Sequence, residues 1–62
     1  MLIRTIEKFL SQTDMRATTF GRLVANDPRL VFDLRRGREP RPSMCSRAEH
    51  FMNKYLEKHH AR

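Results

Sequence analysis

Apolar residues recur three and four positions apart in four separate runs of this chain, and turn-forming residues fill the breaks between them. Ile3, Ile6 and Leu10 mark the first run, with Leu2 and Phe9 at its edges. They predict an amphipathic helix over 2–12 that turns Arg4, Glu7, Lys8 and Ser11 to water. Thr13, Asp14 and Met15 form a link. Asp14 falls where a helix end wants Gly or Asn, and Met15 reads as a buried plug. A second helix is expected over 17–25, its inner face made by Phe20, Gly21, Leu23 and Val24. Arg16 or Thr18 must cap it, and Thr18 is the better capper by chemistry. Gly21 in mid-helix costs about 1 kcal/mol against Ala, so its use there is steric: another helix can cross closely. Asn26 suits the tight turn that follows.

Asp27-Pro28 is the clearest local signal, because Asp is a strong N-cap and Pro is favoured at the first helical position. It starts a third helix expected over 28–36, and Gly37 closes it. The segment REPRP, with two prolines, is an extended basic connector. The last helix is expected over 43–58. Ser43 can cap it, and Ser46 with Glu49 offers a second capping box. Cys45, Ala48, Met52 and Tyr55 make its apolar stripe, widened by Met44, Phe51 and Leu56. The basic end, 58–62, should fray. The pattern therefore predicts an all-α fold: one small four-helix domain spanning 1–62.

At 62 residues the chain has room for one small domain, which a partner or a second copy would help to stabilise. Thirteen Lys and Arg against 7 Asp and Glu give a formal net charge of +6 and a pI near 10.8. Such a surface field favours polyanions. A single Cys allows no internal disulfide, which fits a reducing cytoplasm. No apolar run approaches the roughly 20 residues of a membrane span. The opening MLIRTIEKFL is broken by Arg4, Glu7 and Lys8 and does not read as a signal peptide.

Candidate chemistry concentrates on the third helix. With Val31 at the centre of its buried side and Leu34 beside it, a rotation of about 100° per residue sets Arg29 and Arg36 on the opposite, free face. Phe32 and Asp33 flank those arginines, and Leu30 and Arg35 lie at the borders. Arg grips guanine through two parallel hydrogen bonds, and an apolar group can touch a thymine methyl. Asp33 could hold both guanidinium groups in position or accept from cytosine. Catalysis and metal binding find no comparable support. Cys45 and His50 are five apart on one helix and point in different directions, and they do not make a zinc set with His59 and His60. No metal, cofactor or enzymatic activity is expected.

The run TTFGRLVANDPRLVFDLRRGR resembles the helix-turn-helix of Cro and lambda-repressor type regulators. Gly21 matches the small residue of the first helix and Val24 the apolar residue three later. Ala25 matches the small turn residue, although Gly is commonest there, and Val31 and Leu34 match the apolar pair of the second helix. FGR and DLRRGRE also resemble runs in short bacterial and phage regulators, and the likeness spans roughly Ile6 to Met52. It implies a third helix in the major groove and a second crossing the backbone. Carried over by position, Arg29, Phe32, Asp33 and Arg36 would face base edges. Thr18, Thr19 and Arg22 would meet phosphate, and Arg35, Arg38 and Arg41 the flanking backbone. The expected partner is double-stranded DNA, and the expected activity is transcriptional regulation in the cytoplasm, at the nucleoid. One reading helix covers few base pairs, so a homodimer on a two-fold site is expected, with half-sites roughly 34 Å apart. An apolar excess on the last helix points to Phe51, Tyr55 and Leu56 as the dimer contact. The alternative is a protein-binding adaptor that docks on an acidic partner, such as the transcription machinery, through the same arginines.

Overall fold

The computed structural model describes the backbone of residues 1–60 and the side chains of residues 1–58. Four helices follow one another: α1 (Leu2–Thr13), α2 (Ala17–Ala25), α3 (Leu30–Arg35) and α4 (Pro42–His60). No strand occurs among the described residues, so the fold is all-α, as the periodicity predicts. No described helix is long and apolar enough to cross a membrane.

Three helix ends are closed by the residues the sequence nominates. Asp14 takes a left-handed conformation at φ 60°, and the Leu10 carbonyl accepts from its N–H. Met15 donates its N–H to the same carbonyl at 3.2 Å and packs half-buried on the core. These are the paired bonds of a left-handed cap with its apolar anchor. Asn26 repeats the device at φ 55° after α2. Gly37, at φ 108°, ends α3. Its N–H reaches the Leu34 carbonyl at 3.1 Å, and the Arg38 N–H reaches that of Asp33 at 3.0 Å. This reversal at Gly37 folds Arg38 back along α3.

Helix starts depart more from expectation. Arg16 occupies the cap position of α2 and makes no side-chain bond there, so Thr18 lies inside the first turn and caps nothing. Asp27 Oδ1 accepts from the Arg29 N–H at 3.0 Å in a turn just ahead of α3, but the cap position of the helix is Arg29, with no side-chain cap bond, and not Asp27 as expected. The Leu30 N–H bonds the Asp27 carbonyl in a tighter turn, at 3.1 Å, so regular α-helix begins at Leu30 rather than Pro28. α4 begins at Pro42, which leaves Ser43 and Ser46 inside the helix, neither at its cap. It continues through His60, past the expected fraying point, and residues 61 and 62 lie outside those described.

Every helix contributes to one core. Ile6, Phe9 and Leu10 come from α1, Phe20 and Val24 from α2, Leu30, Val31 and Leu34 from α3, and Ala48 and Met52 from α4. Phe9 sits at the hub of an aromatic cluster, with edge contacts to Phe20, Phe51 and Tyr55 at centroid separations of 5.7, 6.0 and 5.4 Å. Such pairs add about 0.5–1.5 kcal/mol each beyond their buried area. Phe51, Tyr55 and Leu56 are therefore engaged within the chain, half-buried against the core. The remaining exposed surface of Phe51 and Tyr55 lines an outer hollow on α4 with Lys54, Glu57 and Lys58.

Gly21 has the steric role its sequence position suggests. A Cβ there would overlap the Asp27 carbonyl oxygen and come within 3.2 Å of the Leu30 Cβ. The close approach seats the start of α3 directly on α2, and the Asp27 N–H bonds the Gly21 carbonyl at 3.0 Å. Leu23 does not share the inner face and stands 58% exposed. At about 100° per residue it lies roughly a right angle from the midpoint of Phe20, Gly21 and Val24.

Candidate nucleic-acid interface

Which residues α3 presents follows from which it buries. Leu30 is 1% exposed rather than a border residue, so the buried arc centres on Leu30, Val31 and Leu34. Rotation of about 100° per residue then leaves Arg29, Phe32 and Arg36 on the outer midline, with Asp33 on one flank and Arg35 on the other. Arg29, Phe32, Asp33 and Arg36 line one shallow surface depression. The four residues expected at base edges are thus brought together. Phe32 is 41% exposed, and Asp33 is half-buried.

The arginines of this region fall into two groups. Arg29 and Arg36 are exposed, and neither guanidinium has an ion-pair partner among the described residues. The expected clamp of Asp33 on these two does not form. Asp33 instead pairs with Arg38, Oδ2 to Nη1 at 3.2 Å, and the same Nη1 lies 3.9 Å from Asp27 Oδ2. The reversal at Gly37 causes this by carrying Arg38 back over the flank that holds both carboxylates.

Arg35 is occupied as well. Its Nε donates to Glu7 Oε2 at 2.6 Å and its Nη2 to Glu7 Oε1 at 2.9 Å, a two-pronged grip between α3 and α1. The hydrogen bonds from Arg35, reinforced by its charge, hold the Glu7 carboxyl below the usual glutamate range. The same pairing raises the Arg35 guanidinium further. Both side chains are 42% exposed, so the pair does more for orientation than for stability. The Arg35 guanidinium carbon also lies 5.6 Å from the centroid of the Phe32 ring. Glu7 entered the sequence reading only as a solvated residue. No local spacing could have paired it with a residue 28 positions away.

Of the expected backbone contacts, Thr18, Thr19 and Arg22 are exposed on α2, and neither threonine hydroxyl makes a hydrogen bond among the described residues. Arg41 is exposed and borders a second shallow hollow together with Arg38, Ser43 and Arg47. Arg47 escaped the sequence reading. Its signal was a basic residue early in α4, close to the REPRP connector.

Among the described residues, no three His, Cys, Asp or Glu side chains are grouped as a metal set. Comparison with protein-family models, curated proteins and solved structures finds no match to this chain.

Proposed function

We propose that this chain is a sequence-specific double-stranded DNA-binding regulator of transcription, with the outer face of α3 in the major groove. The observation that carries the reading is the grouping of Arg29, Phe32 and Arg36 around one depression, with both guanidinium groups unpaired. An unpaired Arg can present its planar fork to guanine N7 and O6, and the Phe32 ring can meet a thymine methyl. Exposed Thr18, Thr19 and Arg22 on α2, with Arg41 and Arg47 beyond α3, would supply the phosphate contacts that fix orientation. Arg38 is moved out of that group, because it is paired with Asp33 at 3.2 Å and shared with Asp27 at 3.9 Å on the reading side. Two copies on a two-fold site extend the short reading helix to a useful length of sequence.

Gel-shift titration of wild type, Arg29→Ala and Arg36→Ala on a selected duplex and on random DNA, at two salt concentrations, tests the reading. Each substitution should cost about 1–3 kcal/mol at its own base pair and relax the preference there. Unchanged affinity and preference in both variants would refute groove reading by α3.

A further inference from the structure

Phe32 is the one apolar side chain on the outer midline of α3, and its ring touches no other aromatic ring among the described residues. A side chain exposed to this degree would ordinarily sample several rotamers. Here the Arg35 guanidinium lies over the ring, at 5.6 Å from its centroid, within the roughly 6 Å reach of a cation–π contact. Arg35 would itself be mobile if Glu7 did not hold it by two bonds of 2.6 and 2.9 Å. Two prongs fix the plane of the guanidinium as well as its position. Glu7 stands on α1, next to Ile6, which is fully buried. A continuous path therefore runs from the core through Glu7 and Arg35 to Phe32.

We propose that Glu7 is a positioning residue for base reading. Through Arg35 it orients the Phe32 ring toward a thymine methyl, and it keeps Arg35 from joining the phosphate grip. The inference rests on the function proposed above. It makes an acidic residue on a helix that does not enter the groove a determinant of specificity. It also fixes the sign of an unusual effect: removing Glu7 should improve indiscriminate binding and worsen discrimination.

The test compares wild type, Glu7→Gln, Arg35→Lys and the charge control Glu57→Gln on a selected duplex. Thymine is replaced by uracil at each position in turn, and affinity is followed across a salt series. Wild type should prefer thymine by about fourfold at one position per half-site, the value of one buried methyl-sized group. Glu7→Gln should abolish that preference, bind random duplex more tightly, and steepen the slope of log K against log salt by about 0.9 per half-site, one added phosphate contact in each. Arg35→Lys keeps the charge but loses the planar fork, so it should lose the thymine preference with the slope unchanged. Glu57→Gln should retain the preference. An exposed ion pair contributes little to folding, and far-ultraviolet circular dichroism checks that each variant is folded. If one variant is unfolded, the other decides. A uniform loss of affinity with the thymine preference intact would mean a merely structural pair and would overturn the inference. Wild-type preference and slope in both folded variants would overturn it too, leaving the proposed function standing. A wild-type chain with no preference for any duplex would remove both.

Discussion

Arg29 and Arg36 lie within a few residues of Arg35 and Arg38, and all four are exposed, yet the two pairs are in different chemical situations. The first pair sits on the outer midline of α3 with no ion pair among the described residues, although Asp33 borders the same depression. The second sits on the flanks, where Glu7 of α1 takes Arg35 and the Asp27–Asp33 pair takes Arg38. Position around the helix decides the difference, since a flank faces neighbouring structure and a midline faces only what docks. The 13 Lys and Arg thus overstate how many cations stand ready for a polyanion, because Arg35 and Arg38 are already paired. The same count also understates how sharply the free ones are focused.

Removing the frame that both pairs share should have the largest effect. Gly21→Ala drives a Cβ into the Asp27 carbonyl, and overpacking of this kind costs about 1–3 kcal/mol. At about 4–8 °C per kcal/mol for so small a domain, thermal unfolding would show the loss directly. Discrimination should fail with stability, because the start of α3 moves.

Next in size is the contrast between the pairs on DNA. Arg36→Ala should relax preference at one base pair by about 1–3 kcal/mol. Arg38→Ala should instead weaken all duplexes alike, because it leaves Asp27 and Asp33 uncompensated beside the groove. Adding Asp33→Asn to Arg38→Ala should recover much of that loss. Competition binding of the four members of this cycle separates the cases, and a base-specific defect in Arg38→Ala would collapse the distinction between reader and brace.

The smallest effect is acid sensitivity. The folded-state pKa of Glu7 is depressed by its bonds to Arg35 and by that residue's charge. The pair's stabilisation is therefore fully present above the usual glutamate range and is lost as the pH falls through the depressed value. Exposure limits it to about 0.2–1 kcal/mol. A carboxyl titration followed by NMR should place Glu7 below the ordinary range in wild type and within it in Arg35→Ala.

Local chemistry made much of the fold legible. Asp14, Asn26 and Gly37 announce three helix ends because each can take the left-handed conformation those ends require. Spacing located most of each buried stripe but set Phe9 and Leu30 at the borders, where the structure buries both, and Gly21 stood out as a glycine with a steric reason. Leu23 was misplaced because hydrophobicity does not say how wide an arc a short helix buries. Thr18 was misplaced as a cap because α2 starts from Arg16 with no side-chain cap at all. At the candidate site, periodicity found the outer face but not its internal pairings. Asp33 meets Arg38 only because the chain reverses at Gly37, and Glu7 meets Arg35 only because α1 packs on α3. Only the second is a consequence of tertiary packing, which leaves no mark in local sequence; the first is made within five residues by the turn at Gly37.

Arg29 and Arg36 are the residues through which α3 is proposed to read sequence. Selection of bound duplexes from a random pool, run in parallel for wild type and the Arg29→Ala, Arg36→Ala double variant, tests this role most directly. Wild type should enrich a two-fold site with guanines at fixed positions in each half, and the double variant should enrich none. Enrichment of the same site by both proteins, or of no site by wild type, would contradict that role.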